Sequence, residues 1–374
     1  MLGYRCNGKL TFPLCRTCTE SKNQNRCTHS DQERSITGTY ATPELQLALK
    51  KGYRVLKVYE VWHFAESTQY DKETQSGGLF TEYVQLFLKI KQEASGFPVH
   101  CTTEEEKREY IRLYKENEGI QLDYENIKVN PGLRSLAKLC LNSFWGKFGQ
   151  RLILKRHPFF HDSEADEFFQ LLSDPTKTVD DFHIVADDVI QMDWKQNDRF
   201  PPLDIKTNIF IAIFTSMYGR LKLYELLDLL KERVLYMDTD SCIYVSREGE
   251  PEPPLGNYLG ELTSEISPEQ GHILEFVSGG PKNYAYKTLQ GETCKVKGFT
   301  LNFTNSNIVN FDAINEMVTK HPDTFKTLTN PSKICRLPHE RKLYSREEKK
   351  KYHIRYDKRV ILENFDTVPY GYTF

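Results

Sequence analysis

Val234-Leu235-Tyr236-Met237 and Cys242-Ile243-Tyr244-Val245 flank the polar break Asp238-Thr239-Asp240-Ser241, and the reading of this stretch decides the fold. The flanks are rich in β-branched and aromatic residues, so the segment predicts a β-hairpin with both carboxylates at its tip. Like charges this close repel. A divalent metal is the usual compensation, because Mg²⁺ takes hard oxygen ligands and is commonly held by one or two carboxylates plus substrate phosphates. An ordinary acidic turn is the other reading, since Asp, Thr and Ser favour turns through local hydrogen bonds.

A second motif lies upstream. Leu133, Leu136, Ala137, Cys140, Leu141 and Phe144 recur at three and four residues, the pattern of one apolar helical stripe. Arg134, Lys138, Asn142 and Trp145 form another stripe of the same helix, placing two cations, an amide and a flat aromatic on one exposed edge. Cations suit a triphosphate, Asn fixes an orientation, and an indole stacks on a base or sugar. An amphipathic helix whose polar side merely faces water is the alternative. Pro131 and Gly132 bound the helix at its start, Gly146 and Gly149 at its end.

Together, Lys138-x-x-x-Asn142-Ser143-x-Trp145-Gly146 and Tyr236-x-Asp238-Thr239-Asp240-Ser241 resemble motifs B and C of family B DNA polymerases, in order. Within that family they look most like the protein-primed branch, as in polymerases of Polinton-type transposons. The resemblance implies an α+β fold: a polymerase palm of antiparallel sheet with packed helices, and partial fingers and thumb. It implies that Lys138 and Arg134 meet the triphosphate, that Asn142, Trp145 and Gly146 line the nucleotide pocket, and that Asp240 and Asp238 bind Mg²⁺ or Mn²⁺. Trp145 stands where the family commonly has Tyr. Further on, Gly280-Pro281-Lys282-Asn283-Tyr284 and Lys297 resemble the primer-contact motif, with Lys282 and Tyr284 expected on one strand face. The implied partners are primer-template DNA, deoxynucleoside triphosphates and a terminal priming protein.

The resemblance also leaves a gap. Polymerase chemistry uses two metals held by carboxylates from two chain segments. The family's motif A, an Asp followed by Ser-Leu-Tyr-Pro, does not occur before Lys138. The expectation is therefore a chain that begins downstream of motif A and of an exonuclease domain, with feeble polymerisation by itself. A non-catalytic DNA-binding remnant of a mobile-element polymerase is one alternative. A zinc-containing interaction module with inert motifs is another.

Composition fits a globular enzyme piece: 374 residues, 39% hydrophobic, 27% charged, formal net charge −2. Whole-chain charge thus makes no case for nucleic acid, but Lys333 to Arg359 carries eleven Lys or Arg against four Asp or Glu, with three tyrosines interleaved. That segment suits a DNA backbone or a solvated charged helix. No apolar stretch is long enough for a membrane span or leader, so the expected location is intracellular, nuclear or wherever the host element replicates. The expected organisation is a Cys-rich segment over 1–35, palm strands and a first insertion over 36–130, a fingers helix over 131–150, a second insertion over 151–205, palm over 206–300 and thumb over 301–374.

Cys6, Cys15, Cys18 and Cys27 form a Cys-x₈-Cys-x₂-Cys-x₈-Cys pattern in a polar segment, with His29 just beyond. Four soft ligands could close a tetrahedral, structural Zn²⁺ site in which His29 could replace one cysteine; free thiols are the other reading. The remaining five cysteines are scattered singly, which argues against a disulfide framework. Elsewhere the pattern predicts helices over 44–51, 77–93, 102–118 and 206–230, and a strand over 53–62 crossing the palm sheet.

Overall fold

The computed structural model describes residues 15–71, 73–201, 207–354, 356 and 359–372, with only the backbone for 5–6 and 9–10. The fold is mixed α+β, with helices and small antiparallel sheets of two or three strands. Two compact units divide the chain. The first takes Met1–Gly149, Asn208–Glu265 and Arg359–Phe374, the second Gln150–Thr207 and Ile266–Lys358.

With elements numbered in chain order through both units, the first unit opens with β1 (Arg5–Cys6), β2 (Lys9–Leu10), α1 (Arg16–Ser21), α2 (Asp31–Arg34) and α3 (Thr42–Lys50). Then come β3 (Tyr70–Asp71), β4 (Ser76–Gly77), α4 (Thr81–Glu93), α5 (Glu104–Glu118) and α6 (Pro131–Phe148). Helix α5 begins in a capping box: the Thr103 hydroxyl accepts from the Glu106 amide at 3.2 Å, and the Glu106 carboxylate accepts from the Thr103 amide at 2.8 Å. Gly119, at φ +71, ends it in the left-handed region that glycine adopts without strain. Its dry face puts Tyr114 into a core with Leu88, Ile120, Leu122 and Ile127.

Asn130 caps α6 by accepting the Leu133 amide at 3.1 Å, and Pro131 opens the first turn, where its missing N–H costs nothing. Phe144 stacks on Tyr83 of α4 at 4.4 Å and meets Phe80 edge-on at 4.7 Å. The expected stripe is buried only in part. Ala137 is inside and Cys140, Leu141 and Phe144 are half-buried, whereas Leu133 and Leu136 are exposed. Contact with α4 and α8 (Ile209–Leu230) turns the covered face toward Leu141 and Phe148.

Asn208 caps α8 through the Phe210 amide at 3.1 Å; the expected start at Lys206 falls outside the described residues. Met217 and Tyr224 are buried as expected, but Ile209 and Phe214 are largely exposed, and Ala212, Leu227 and Leu230 complete the buried face. The helix is gripped by Glu44 of α3, which accepts two hydrogen bonds from Arg220 at 2.8 and 3.0 Å. On Tyr224 and Leu227 rest Val234 and Met237 of the hairpin β8 (Val234–Asp238) and β9 (Ser241–Tyr244). The expected strand over 53–62 does not form: none of its residues joins a strand ladder, and Val58, Tyr59 and Val61 are exposed. A strand needs a neighbour for its backbone groups, and none of the described residues supplies one. The unit closes with β15 (Val360–Ile361) and β16 (Thr367–Val368).

The second unit holds β5 (Phe159–His161), α7 (Ala165–Ser173), β6 (Lys177–Ala186) and β7 (Val189–Gln196), with sheet order β5-β7-β6. A second sheet, β10 (Glu275–Gly280), β11 (Asn283–Thr288) and β12 (Gly291–Val296), is followed by α9 (Phe303–Ile308) and α10 (Phe311–Thr319). Residues 333–353, open to a charged helix from the sequence, belong instead to a long hairpin of β13 (Phe325–Leu337) and β14 (Lys342–His353). Its register breaks between Asn330 and Lys333, where Pro331 has no N–H to give the ladder. Leu328 and Tyr352 sit in one core with Val277, Ala285, Phe311, Ile314 and Met317. Among the described residues, no helix is long and apolar enough to cross a membrane.

Candidate functional site

The hairpin pairs Asp238 with Ser241, so Thr239 and Asp240 alone form the turn. Thr239 has φ +54, a conformation that costs a β-branched residue strain. Local bonds hold it: the Asp240 amide donates to the Asp238 carbonyl at 2.6 Å, the Ser241 hydroxyl to the same carbonyl at 3.1 Å, and the Thr239 hydroxyl to the Asp238 carboxylate at 3.1 Å. Asp240 is exposed and Asp238 half-buried. The base is braced by Arg233, fully buried between Glu250 at 2.8 Å and Glu252 at 3.0 Å, with its guanidinium over the Tyr244 ring. Among the described residues, no third carboxylate, cysteine or histidine joins Asp238 and Asp240 in a metal-sized group.

In the same unit, Arg134, Lys138, Asn142 and Trp145 are exposed along one edge of α6. A Cβ on Gly146 would meet nothing within 4 Å, so the surface is open there. Arg134 Nε donates to Ser95 Oγ at 3.1 Å, just past α4. Lys91 of α4 joins them: burial first, then the positive charges of Arg134 and Lys138, lower its ammonium below the usual lysine range. A cluster of cations at such cost is relieved by an anion.

In the second unit, Lys282 is not on a strand face as expected. It occupies the turn between β10 and β11 at φ +58, because Gly280 already pairs with Asn283 and leaves only Pro281 and Lys282 to reverse the chain. Tyr284 is on β11, between Phe276 and Tyr286. The Lys297 amide donates to the Lys282 carbonyl at 3.0 Å, which brings the two lysine backbones side by side.

The cysteine segment folds into a tight cluster. The sulfurs of Cys15, Cys18 and Cys27 lie 3.5, 3.3 and 3.5 Å from His29 Nδ1, and the ligand atoms of all four residues lie within 4.8 Å of one another. One imidazole nitrogen can share a single proton, so three thiols aimed at it exceed its hydrogen-bonding capacity. As vertices of a tetrahedron they make sense: with zinc about 2.3 Å from sulfur and 2.0–2.1 Å from nitrogen, that edge is roughly 3.5 Å. Cys15 and Cys18 are buried, and Cys18 Sγ accepts from Asn23 Nδ2 at 3.3 Å. Burial pushes the Cys15 thiol up to about 11; Cys27, despite burial, is brought to about 7 by hydrogen bonds from His29, Cys18 and Cys15. The cluster could hold a metal ion. The side chain of Cys6 lies outside the described residues.

No family model, curated protein or solved structure matches this chain. The functional assignment therefore rests on its own residues. One contributor escapes a sequence reading. Lys91 lies on an apolar-patterned helix, and only the packing of α4 on α6 brings it to Arg134 and Lys138. His29 was visible beside the cysteines, yet its convergence with three of them needs the turn between Lys22 and Thr28.

Proposed function

We propose that this chain performs the nucleotide-handling part of a protein-primed family B DNA polymerase: template-directed transfer of a deoxynucleotide to a primer 3′ hydroxyl, with release of pyrophosphate. Asp240 and Asp238 would hold Mg²⁺ or Mn²⁺, Lys138, Arg134 and Lys91 the triphosphate, and Asn142, Trp145 and Gly146 the sugar and base. Lys282, Tyr284 and Lys297 would meet primer-template DNA. In this reading residues 131–150 are the fingers helix, residues 36–130 and 206–300 contribute the palm, residues 301–374 are the thumb, and a terminal protein supplies the primer. The setting is inside the cell, wherever the encoding element replicates, the nucleus included. Zinc, as a structural ion, is the metal assigned to the cysteine and histidine cluster.

The observation that carries the reading is the strained hairpin tip with Asp238 and Asp240, in one unit with the cationic edge of α6. Binding of a fluorescent deoxynucleoside triphosphate tests it. We expect binding that needs Mg²⁺ and that weakens roughly tenfold or more in Lys138→Ala, the scale of a hydrogen bond to a charged group. Metal-independent binding, or binding indifferent to Lys138, overturns the reading. A second reading, a non-catalytic DNA-binding remnant, is favoured by the lack of a third metal-sized ligand beside the hairpin among the described residues. Primer extension separates the two. The expected synthesis is feeble and Asp240-dependent; salt-sensitive DNA binding with no synthesis, unchanged in Asp240→Asn, marks the remnant.

A further inference from the structure

The cysteine cluster lies against the other end of the described chain. The Cys27 amide donates to the Gly371 carbonyl at 2.8 Å, and the Gly371 amide donates to the Asn23 carbonyl at 2.8 Å. Tyr370 is buried and, with Val360, packs against Cys15, Cys18 and Cys27. Gly371 has φ +79, and a Cβ there would stand 2.5 Å from Cys18 Sγ and 3.1 Å from Cys27 Cβ. The segment is internally tied by Arg359, whose guanidinium donates to the Thr367 hydroxyl and carbonyl at 2.9 and 2.7 Å, and by the β15–β16 ladder. Two two-residue strands cannot hold themselves in water. Their anchor is the surface that the three sulfurs present.

We propose that one zinc ion on Cys15, Cys18, Cys27 and His29 is a clasp, whose loading fastens residues 359–372 onto residues 15–29 and whose loss releases them. This rests on the zinc assignment and is independent of the polymerase reading. The mechanism is simple. The ion neutralises the crowded sulfurs and fixes the loop of residues 22–28, so that the Asn23 carbonyl and Cys27 amide face Gly371. Without it, nothing holds the loop of residues 22–28 to the cluster, and both backbone bonds to Gly371 lose their fixed partners.

The full chain tests the clasp in two steps. Metal analysis of the purified protein is expected to give one zinc per chain, retained in Cys6→Ser and lost in His29→Ala; no zinc, or zinc lost with Cys6 and kept without His29, overturns the ligand set. Cobalt substitution should add thiolate charge-transfer absorption, as a tetrahedral sulfur-rich site requires. Hydrogen exchange then reads the clasp itself: chelation is expected to speed exchange of the Gly371 amide roughly tenfold or more, reversed on adding zinc. Exchange unchanged while zinc leaves keeps the metal site and overturns the clasp. Gly371→Ala keeps all four ligand residues and sets its new methyl against Cys18, so a released C-terminal segment with zinc still bound supports the docking surface, and an undisturbed segment, or zinc lost while the segment stays docked, refutes it.

Discussion

The acidic hairpin and the cysteine cluster both gather ligand-type side chains in the first unit, yet they treat them in opposite ways. The cluster draws four ligands from a single stretch, buries Cys15 and Cys18, and closes over them with Tyr370 and Gly371. The hairpin offers two carboxylates, leaves Asp240 exposed, and provides no third ligand among the described residues. A closed tetrahedral set of soft ligands has no open position, so a metal held there would be structural. An open pair of hard oxygens leaves coordination for water and phosphate, so a metal held there would be suited to chemistry. The surroundings agree: strain and surface charge gather at the hairpin and on α6, while buried thiols and backbone bonds gather at the cluster.

The largest effect expected from this contrast is on stability. Removing zinc, or Cys18→Ser, should destabilise the first unit by about 3 kcal/mol or more, seen as a lower Tm that added zinc restores only in the wild type. Adding or removing magnesium should leave Tm unchanged; equal effects of both metals would erase the distinction. Next, Leu227→Ala, beneath the hairpin, should cost about 3 kcal/mol and also weaken nucleotide binding, because the cavity loosens the seat of Val234 and Met237. Stability lost without any change in binding would show that the tip does not depend on that seat. Asp240→Asn should do the reverse: stability within about 0.5 kcal/mol of wild type by thermal melt, as for an exposed position, with metal-dependent nucleotide binding lost. Thr239→Gly relieves a left-handed threonine but frees the unfolded chain, two terms of about 1 kcal/mol that nearly cancel; a measured gain well above that would mean the strain at the tip is larger than the turn bonds suggest.

The smallest expected effect is a control away from both sites. Hydrogen bonds from the amides of Thr103 and Thr102 hold the Glu106 carboxyl down to about 2 from its usual 4.5. Because the folded value is the depressed one, this support is full above about pH 4.5 and is lost as pH falls toward 2. Glu106→Gln should therefore flatten the acid side of the stability curve and leave zinc content untouched. A variant that also lost zinc would tie the cap to the cluster and blur the comparison.

Much of the local structure was legible. The Pro131 start of α6 and the Asp238 to Ser241 turn each depend on residues within a few positions of one another, so spacing alone specified them. Faces were harder. The stripe on α6 and the one on α8 were each right in kind and misaligned, since Leu133 and Ile209 stay exposed while Ala212 and Leu230 go inside. A hydrophobic pattern states that a helix has a dry side; the neighbour that arrives decides its angle. Residues 53–62 show the same limit from the other direction, with strand-forming residues and no pairing strand among those described.

By itself, then, the chain's order of residues determined the helix ends, the carboxylate-tipped hairpin and the availability of soft ligands, because those follow from backbone preference and side-chain chemistry over a few residues. Tertiary structure alone decided that His29 completes the set with Cys15, Cys18 and Cys27, that Gly371 closes over them, and that Lys91 joins Arg134 and Lys138. Each of these is a meeting of separate elements, and only packing selects which surfaces meet.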